Sequence, residues 1–295
     1  MDYKISHTTV YTYTEAVPFC HNEVHLTPRD HPRQSCISNR LSIKPQPKWI
    51  ESVLDYFGNS VSFFTIEEGH QKLSVTAASK VRVSELPPLS PSKMSWETVR
   101  DQSAVDRSPA VIEAYQYAFD SPHVPTSPDL AAYAAISFKP GRPWLESLLD
   151  LTRRIHTEFK YDKTATNIHT PPSEVLRVRR GVCQDFAHLQ IGCLRSLGLA
   201  ARYVSGYLVT APPPGQPRLV GADASHAWLS AFSPEQGWID VDPTNDMIPS
   251  TKHISLAWGR DYSDVTPIKG VYIGGGHNGM TVAVDVMPLA PDADG

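Results

Sequence analysis

A basic excess is missing from this chain, and that lack argues against polyanion binders. Lys and Arg number 27 against 31 Asp and Glu, for a net charge of −4. No basic run extends beyond Arg179-Arg180, so neither a nucleic-acid backbone nor an anionic membrane surface has a footprint to bind. Long apolar runs are missing as well. No window approaches the ~18 apolar residues of a membrane span, and Met1 to Ile5 lacks the apolar core of a secretory leader. A cytoplasmic location without membrane or nucleic-acid association is therefore the expectation. Cysteine is sparse: the four residues Cys20, Cys36, Cys183 and Cys193 match neither a paired zinc framework nor a dense disulfide scaffold, so reduced thiols are expected. The sequence has no D-x-D-x-D-G calcium loop, and His7, His21, His25 and His31 share no metal-ligand spacing. No cofactor is expected. What remains, 41% apolar and 20% charged residues over 295 positions, is the composition of a globular protein with room for one large or two modest cores.

Residues up to about 85 alternate as strands do, with Tyr3, Ile5, Tyr11 and Tyr13 on one parity and β-rich runs at 61–66 and 73–76. Phe57-Gly58-Asn59-Ser60 and Glu68-Gly69-His70 read as hairpin connections, which suggests an antiparallel sandwich. Three prolines within 86–92 break the pattern and place a boundary, giving an N-terminal β domain (1–88) and a second domain (89–295) with a C-terminal β extension. The pattern then turns helical: Pro109 to Phe119, a helix after Ser127-Pro128, Pro143 to Phe159, and a short one from Pro172. Strands follow at 201–209, 226–232 and 237–242, the last two joined through Ser233-Pro234-Glu235-Gln236. The fold class expected is α+β, with helices packed on an antiparallel sheet behind the β-sandwich. The proline-rich segment 211–217 reads as a mobile loop bordering the site entrance.

One stretch combines a reactive side chain with a helix start. Gly181 suits a tight loop, and Phe186, Leu189, Gln190, Cys193, Leu194 and Leu197 recur at helical spacing up to the stop at Gly198. Cys183 then occupies the first turn, where orphan N–H groups and the helix dipole favour a thiolate. A thiol nucleophile needs a base and a group that orients the base. If the strands 226–232 and 237–242 pair as a hairpin, His226 and Asp242 fall on one face, directly or diagonally opposite. Asp240 is the runner-up, farther along the ladder. His188 is turned about 140° from Cys183 around the helix and is a poor candidate base. Asp185 and His188, three apart, are expected to pair or to support the site, and Trp228 and Trp238 to pack as its walls.

These segments resemble the core of the transglutaminase-like cysteine hydrolase superfamily. Gly181-Val182-Cys183 matches the Gly-x-Cys nucleophile segment, His226-Ala227-Trp228 the strand that opens with the base, and Trp238 through Asp242-Pro243-Thr244 the acid segment. The N-terminal β region and Gly259-Arg260-Asp261-Tyr262-Ser263-Asp264-Val265 resemble the bacterial branch that carries its own N-terminal domain. The resemblance implies a papain-like core, a Cys183–His226–Asp242 triad and hydrolysis of a peptide, isopeptide or side-chain amide through a thioester, with a peptide or protein as substrate. The same family leaves two alternatives: transamidation by a protein-glutamine gamma-glutamyltransferase activity, and a non-catalytic peptide-binding module. A metal site built from Cys183, His226 and Asp242 is a third.

Overall fold

The computed structural model describes residues 1–85, 89–210 and 225–289. The N-terminal part contributes β1 (Asp2–Val17), β2 (Phe19–Val24), β3 (Gln34–Lys44), β4 (Ile50–Leu54), β5 (Ser60–Ile66) and β6 (His70–Val83). Helices follow: α1 (Trp96–Val105), α2 (Pro109–Tyr115), α3 (Pro128–Ala135) and α4 (Trp144–Glu158). After the two-residue strand β7 (Lys160–Tyr161) come α5 (Pro172–Val178), β8 (Arg180–Gly181) and α6 (Cys183–Ser196). The chain ends in β9 (Ala201–Leu208), β10 (Ser225–Ser233), β11 (Gly237–Val241), β12 (His253–Gly259), β13 (Ile268–Ile273) and β14 (Asn278–Pro288). The fold is α+β with antiparallel principal sheets.

Alternation along β1 buries Tyr3, Ile5, His7 and Thr9 on one face. That face packs with Cys20, Phe64 and Val75 in the core of a sandwich of two four-stranded sheets, ordered β14-β1-β6-β3 and β13-β2-β5-β4. The C-terminal strands complete both sheets, since β14 pairs with β1 and β13 with β2. Alternation at 281–286 marks a strand but names no partner, so this closure of the chain on its own beginning is a tertiary fact. The turn at Asp55–Asn59 does close a β4–β5 hairpin, with Asp55 Oδ1 accepting from the Phe57 and Asn59 amides at 2.9 and 2.7 Å. Glu68-Gly69-His70 does not close one. It carries the chain from β5 in one sheet to β6 in the other.

The second sheet system is ordered β11-β10-β9-β12. Its odd-numbered β10 residues Ala227, Leu229 and Ala231 pack in one core with Phe186, Leu189 and Cys193 of α6 and Leu148, Leu151 and Ile155 of α4. From the same sheet Tyr207, Ile254 and Leu256 join the sandwich core. One sheet is thus shared between a helical layer and the sandwich. The helix α1 has no counterpart in the sequence reading; it buries only Trp96, Val99 and Ser103, too sparse a stripe to stand out, and is fixed by the Ser95 hydroxyl capping the Thr98 amide at 3.3 Å. No helix among the described residues is long and apolar enough to cross a membrane. The segment 211–217 lies outside the described residues.

Candidate active site

Cys183 is the first residue of α6, and the local sequence explains how it is held there. The Asp185 carboxylate folds back to accept the Val182 amide at 2.7 Å and the Thr166 hydroxyl at 2.6 Å, tying down the helix start. Glycine is required before it, because a Cβ on Gly181 would sit 2.7 Å from Asp185 Oδ2. Burial nevertheless raises the Asp185 carboxyl above its ordinary range. Asp185 does not pair with His188. The His188 ring is buried among His123 and Tyr203 and accepts the Tyr262 amide through Nε2 at 3.2 Å. Burial pushes its pKa well down, keeping the ring neutral. Its role is to dock the segment 259–265 onto α6, and the same segment is braced by Arg260 on Asp264 at 2.9 Å.

The β10–β11 register sets Ser230 opposite Asp240 and Leu229 opposite Val241. Continuing it puts Asp242 diagonally across from His226, and their side chains meet, His226 Nε2 to Asp242 Oδ2, at 2.7 Å. With Nε2 committed, Nδ1 is the nitrogen available to the thiol. Burial works against a charged His226, but hydrogen bonds to Asp242 and to Cys183 raise its pKa to about 10. The Asp242 carboxyl is buried, which alone would raise its pKa; the bonds it accepts from His226, His253 and Asn245 instead hold it far below the carboxylate range. Its two oxygens divide the work. Oδ1 accepts the Thr244 and Asn245 amides at 2.9 and 3.3 Å and so closes the turn after Pro243. Oδ2 accepts His226, the Asn245 side chain at 2.7 Å and His253 Nε2 at 3.1 Å.

His253 and Asn245 are the residues that the sequence reading missed. The Ser250 amide donates to His253 Nδ1 at 3.3 Å, which leaves Nε2 as the nitrogen that donates to Asp242. Asn245 stands directly behind Asp-Pro-Thr, and that proximity was the available signal. Asp240 does not touch His226; it accepts from the Ser230 hydroxyl and from Trp228 Nε1 at 3.3 Å. The Trp228 indole packs edge-on against His253, 5.2 Å between centroids, and at 6.1 Å from the His226 ring. It passes over Gly206, where an added Cβ would come within 2.5 Å of the indole. Trp238 lies elsewhere, beneath Phe232 and Tyr117.

Among the described residues, one group of His, Asp and Cys side chains is close enough to share a metal ion: His226, Asp242 and His253, whose ligand atoms lie within 4.8 Å of one another. Cys183 is not in it. Nε2 of each histidine already bonds directly to Oδ2, so a metal would need to break the bond that orients His226 and the one from His253. The donor set fits a hydrogen-bonded relay better than a metal centre.

A cleft of about 250 Å³ opens over Cys183 and His226. Tyr203 and Tyr262 wall it from one side, and Thr9, Tyr11, Met280 and Val282 of the sandwich wall it from the other. Burial and the neighbouring Cys183 keep the Tyr203 phenol protonated. All four cysteines are free. Cys20 and Cys193 are buried, and burial raises the thiols of Cys20, Cys36 and Cys193 alike. Iodoacetamide near neutral pH is therefore expected to modify Cys183 about tenfold or more faster than the other three, as read by peptide mass spectrometry. Equal rates at all four would remove the case for an activated thiol.

Comparison with known proteins finds matches over most of the chain. The description Bacterial transglutaminase-like N-terminal region matches residues 3–82, and Transglutaminase-like superfamily matches 133–243. An uncharacterised protein of Mycobacterium tuberculosis is 41% identical over 99% of this chain and 94% of its own length. One from Mycobacterium leprae is 34% identical over 97% of this chain and 99% of its own. A protein-glutamine gamma-glutamyltransferase of Pseudomonas aeruginosa is 30% identical over 37% of this chain and 19% of its own. Among solved structures, a protein described as a candidate cysteine protease from Cytophaga hutchinsonii superposes with a TM-score of 0.78 at 21% identity, covering 99% of this chain and 92% of that one. That likeness speaks for the fold.

Proposed function

Because the chain belongs to the transglutaminase-like superfamily, in the branch with a bacterial N-terminal region, we propose that it is a cysteine-dependent acyl-transfer enzyme that hydrolyses a peptide, isopeptide or side-chain amide bond. The observation that carries this reading is the 2.7 Å bond from His226 to a buried, ionised Asp242, with Cys183 lining the same cleft as His226 and contributing to its raised pKa. Cys183 attacks the amide carbonyl as the thiolate. The Cys183 backbone N–H, unpaired within the first turn of α6, supports the developing oxyanion. His226 gives its proton to the departing amine, a thioester remains, and water taken up against His226 then releases the acid. Asp242 keeps the ring oriented throughout.

The cleft walls are aromatic, aliphatic and hydroxyl side chains, a surface suited to an uncharged amide and its flanking apolar groups. Hydrolysis is the leading outcome proposed; transamidation, the activity for which the Pseudomonas relative is named, uses the same acyl-enzyme with an amine in place of water. The four free thiols fit a reducing compartment, and the cytoplasm is the location proposed. Incubating the purified protein with peptide libraries, with and without a primary amine, separates the outcomes by mass. Cleavage, or a gain of about one mass unit from deamidation, is expected with or without the amine. Dominant amine incorporation would replace hydrolysis by transamidation, and unchanged peptides throughout would leave a binding module.

A further inference from the structure

The face of the catalytic sheet that meets the sandwich holds a second cavity, of about 510 Å³, away from Cys183. A cross-strand row leads into it: Arg202 on β9, Ser230 on β10 and Asp240 on β11. Arg202 is 6% exposed, and its guanidinium is stacked between two indoles, 4.1 Å from the Trp238 centroid and 3.8 Å from that of Trp258. Stacking occupies the faces of the group and leaves its N–H edge. Among the described residues nothing accepts a hydrogen bond from that edge, and Nε is buried without a partner.

Two more donors line the same cavity in the same condition. Arg33 gives Nη2 to the Pro249 carbonyl at 3.2 Å, yet its Nε is buried and unpartnered. His31 accepts the Arg33 amide on Nδ1 at 3.4 Å, which leaves the proton of the neutral ring on Nε2, again buried and unpartnered. Asp240 is the half-buried carboxylate on the lining; its oxygens accept from the Ser230 hydroxyl and from Trp228, and among the described residues no ion pair joins it to Arg202, Arg33 or His31. Glu113, the other acid on the lining, lies exposed on α2, where water screens it. The lining therefore carries more unpartnered donors than acceptors, next to indole walls. Buried donors call for partners, and guanidinium edges match planar oxyanions.

We propose that this cavity is a binding site for a small organic anion, its carboxylate or phosphate head received by Arg202, Arg33 and His31 and its apolar body lying against Trp238 and Trp258. The volume is that of a small-molecule site. The inference goes beyond the amide chemistry and does not depend on it, because Trp228 and Asp240 separate the cavity from His226.

Calorimetric titration of the full chain carrying Cys183→Ala, so that no probe is turned over, tests the proposal. The probes are N-acetyl-L-phenylalanine, its neutral carboxamide, and phenyl phosphate. At least one of the two anions is expected to bind saturably at one site, at least tenfold tighter than the carboxamide, and whichever anion binds tighter identifies the head group. Adding Arg202→Gln should abolish that binding, and Arg33→Gln should weaken it about tenfold. Arg33 is the less buried of the two, so if Arg202→Gln lowers the melting temperature sharply, Arg33→Gln decides. Equal affinity for the acid and the carboxamide, no binding of either anion, or an unchanged affinity in a well-folded Arg33→Gln protein would overturn the proposal.

Discussion

Replacing Cys183 by Ala is expected to reduce amide turnover by on the order of 10⁴ to 10⁶, down to whatever the cleft and helix start provide unaided. The fold should survive. Cys183 is only partly buried at the first position of α6, alanine is a strong helix former, and the Asp185 bonds that fix the helix start do not involve the thiol. A stability change within about 1 kcal/mol is expected. The variant has a second signature. The thiol is one of the groups that raise His226 to about 10, so removing it should move the imidazole titration, followed by NMR, downward while Asp242 keeps it above the ordinary value. A variant that retains an undiminished rate would overturn the nucleophile assignment. A variant that loses the rate but leaves the His226 titration in place would detach the thiol from the base.

How much of this was legible beforehand depended on how local each piece of chemistry was. Cys183 at a helix start, His226 at a strand start and Asp242 before a proline are each written in a few adjacent residues, and a hairpin register joins the last two. Asp185 capping its own helix start was equally local, yet the spacing to His188 suggested the wrong partner. Three residues apart places two side chains on one helix face, but at the first turn the exposed amide of Val182 outcompetes a neighbouring imidazole. His253 was out of reach for a different reason. It follows Asp242 by 11 residues, and only the sheet order β11-β10-β9-β12 brings it back to the carboxylate. The same holds for the sandwich side of the cleft: alternation along β1 identifies a buried face but cannot say that Thr9 and Tyr11 border a thiol on α6. Likewise the pairing of β14 with β1 joins the two ends of the chain, and no periodicity encodes a partner that distant.

Asp242→Asn isolates the charge from the shape, and its expected effect on kcat is a loss of about 10³ to 10⁴. The carboxylate accepts on both oxygens: two backbone amides on Oδ1, and His226, His253 and Asn245 on Oδ2. A carboxamide keeps one acceptor and turns an NH₂ group toward the other set of donors. If the NH₂ faces the histidines, His226 loses its orienting bond; if it faces the turn, the loop after Pro243 loses its closure. Either way at least one buried donor is left unpaired, at a cost of about 1–3 kcal/mol. Without the negative charge, burial becomes the dominant influence on His226, whose pKa should fall from about 10 toward or below 6.5. The sign of the stability effect follows. In the wild type the raised His226 contributes stability that is complete below 6.5 and fades as pH rises through about 10, whereas the depressed Asp242 contributes stability that is complete above 3.8 and fades as pH falls through its lowered value. Chemical denaturation should therefore show the widest gap between wild type and variant at about pH 4 to 6.5, narrowing on both sides. A gap that does not vary with pH, or a kcat within tenfold of the wild type, would show that Asp242 serves the turn after Pro243 and leaves the base to orient itself.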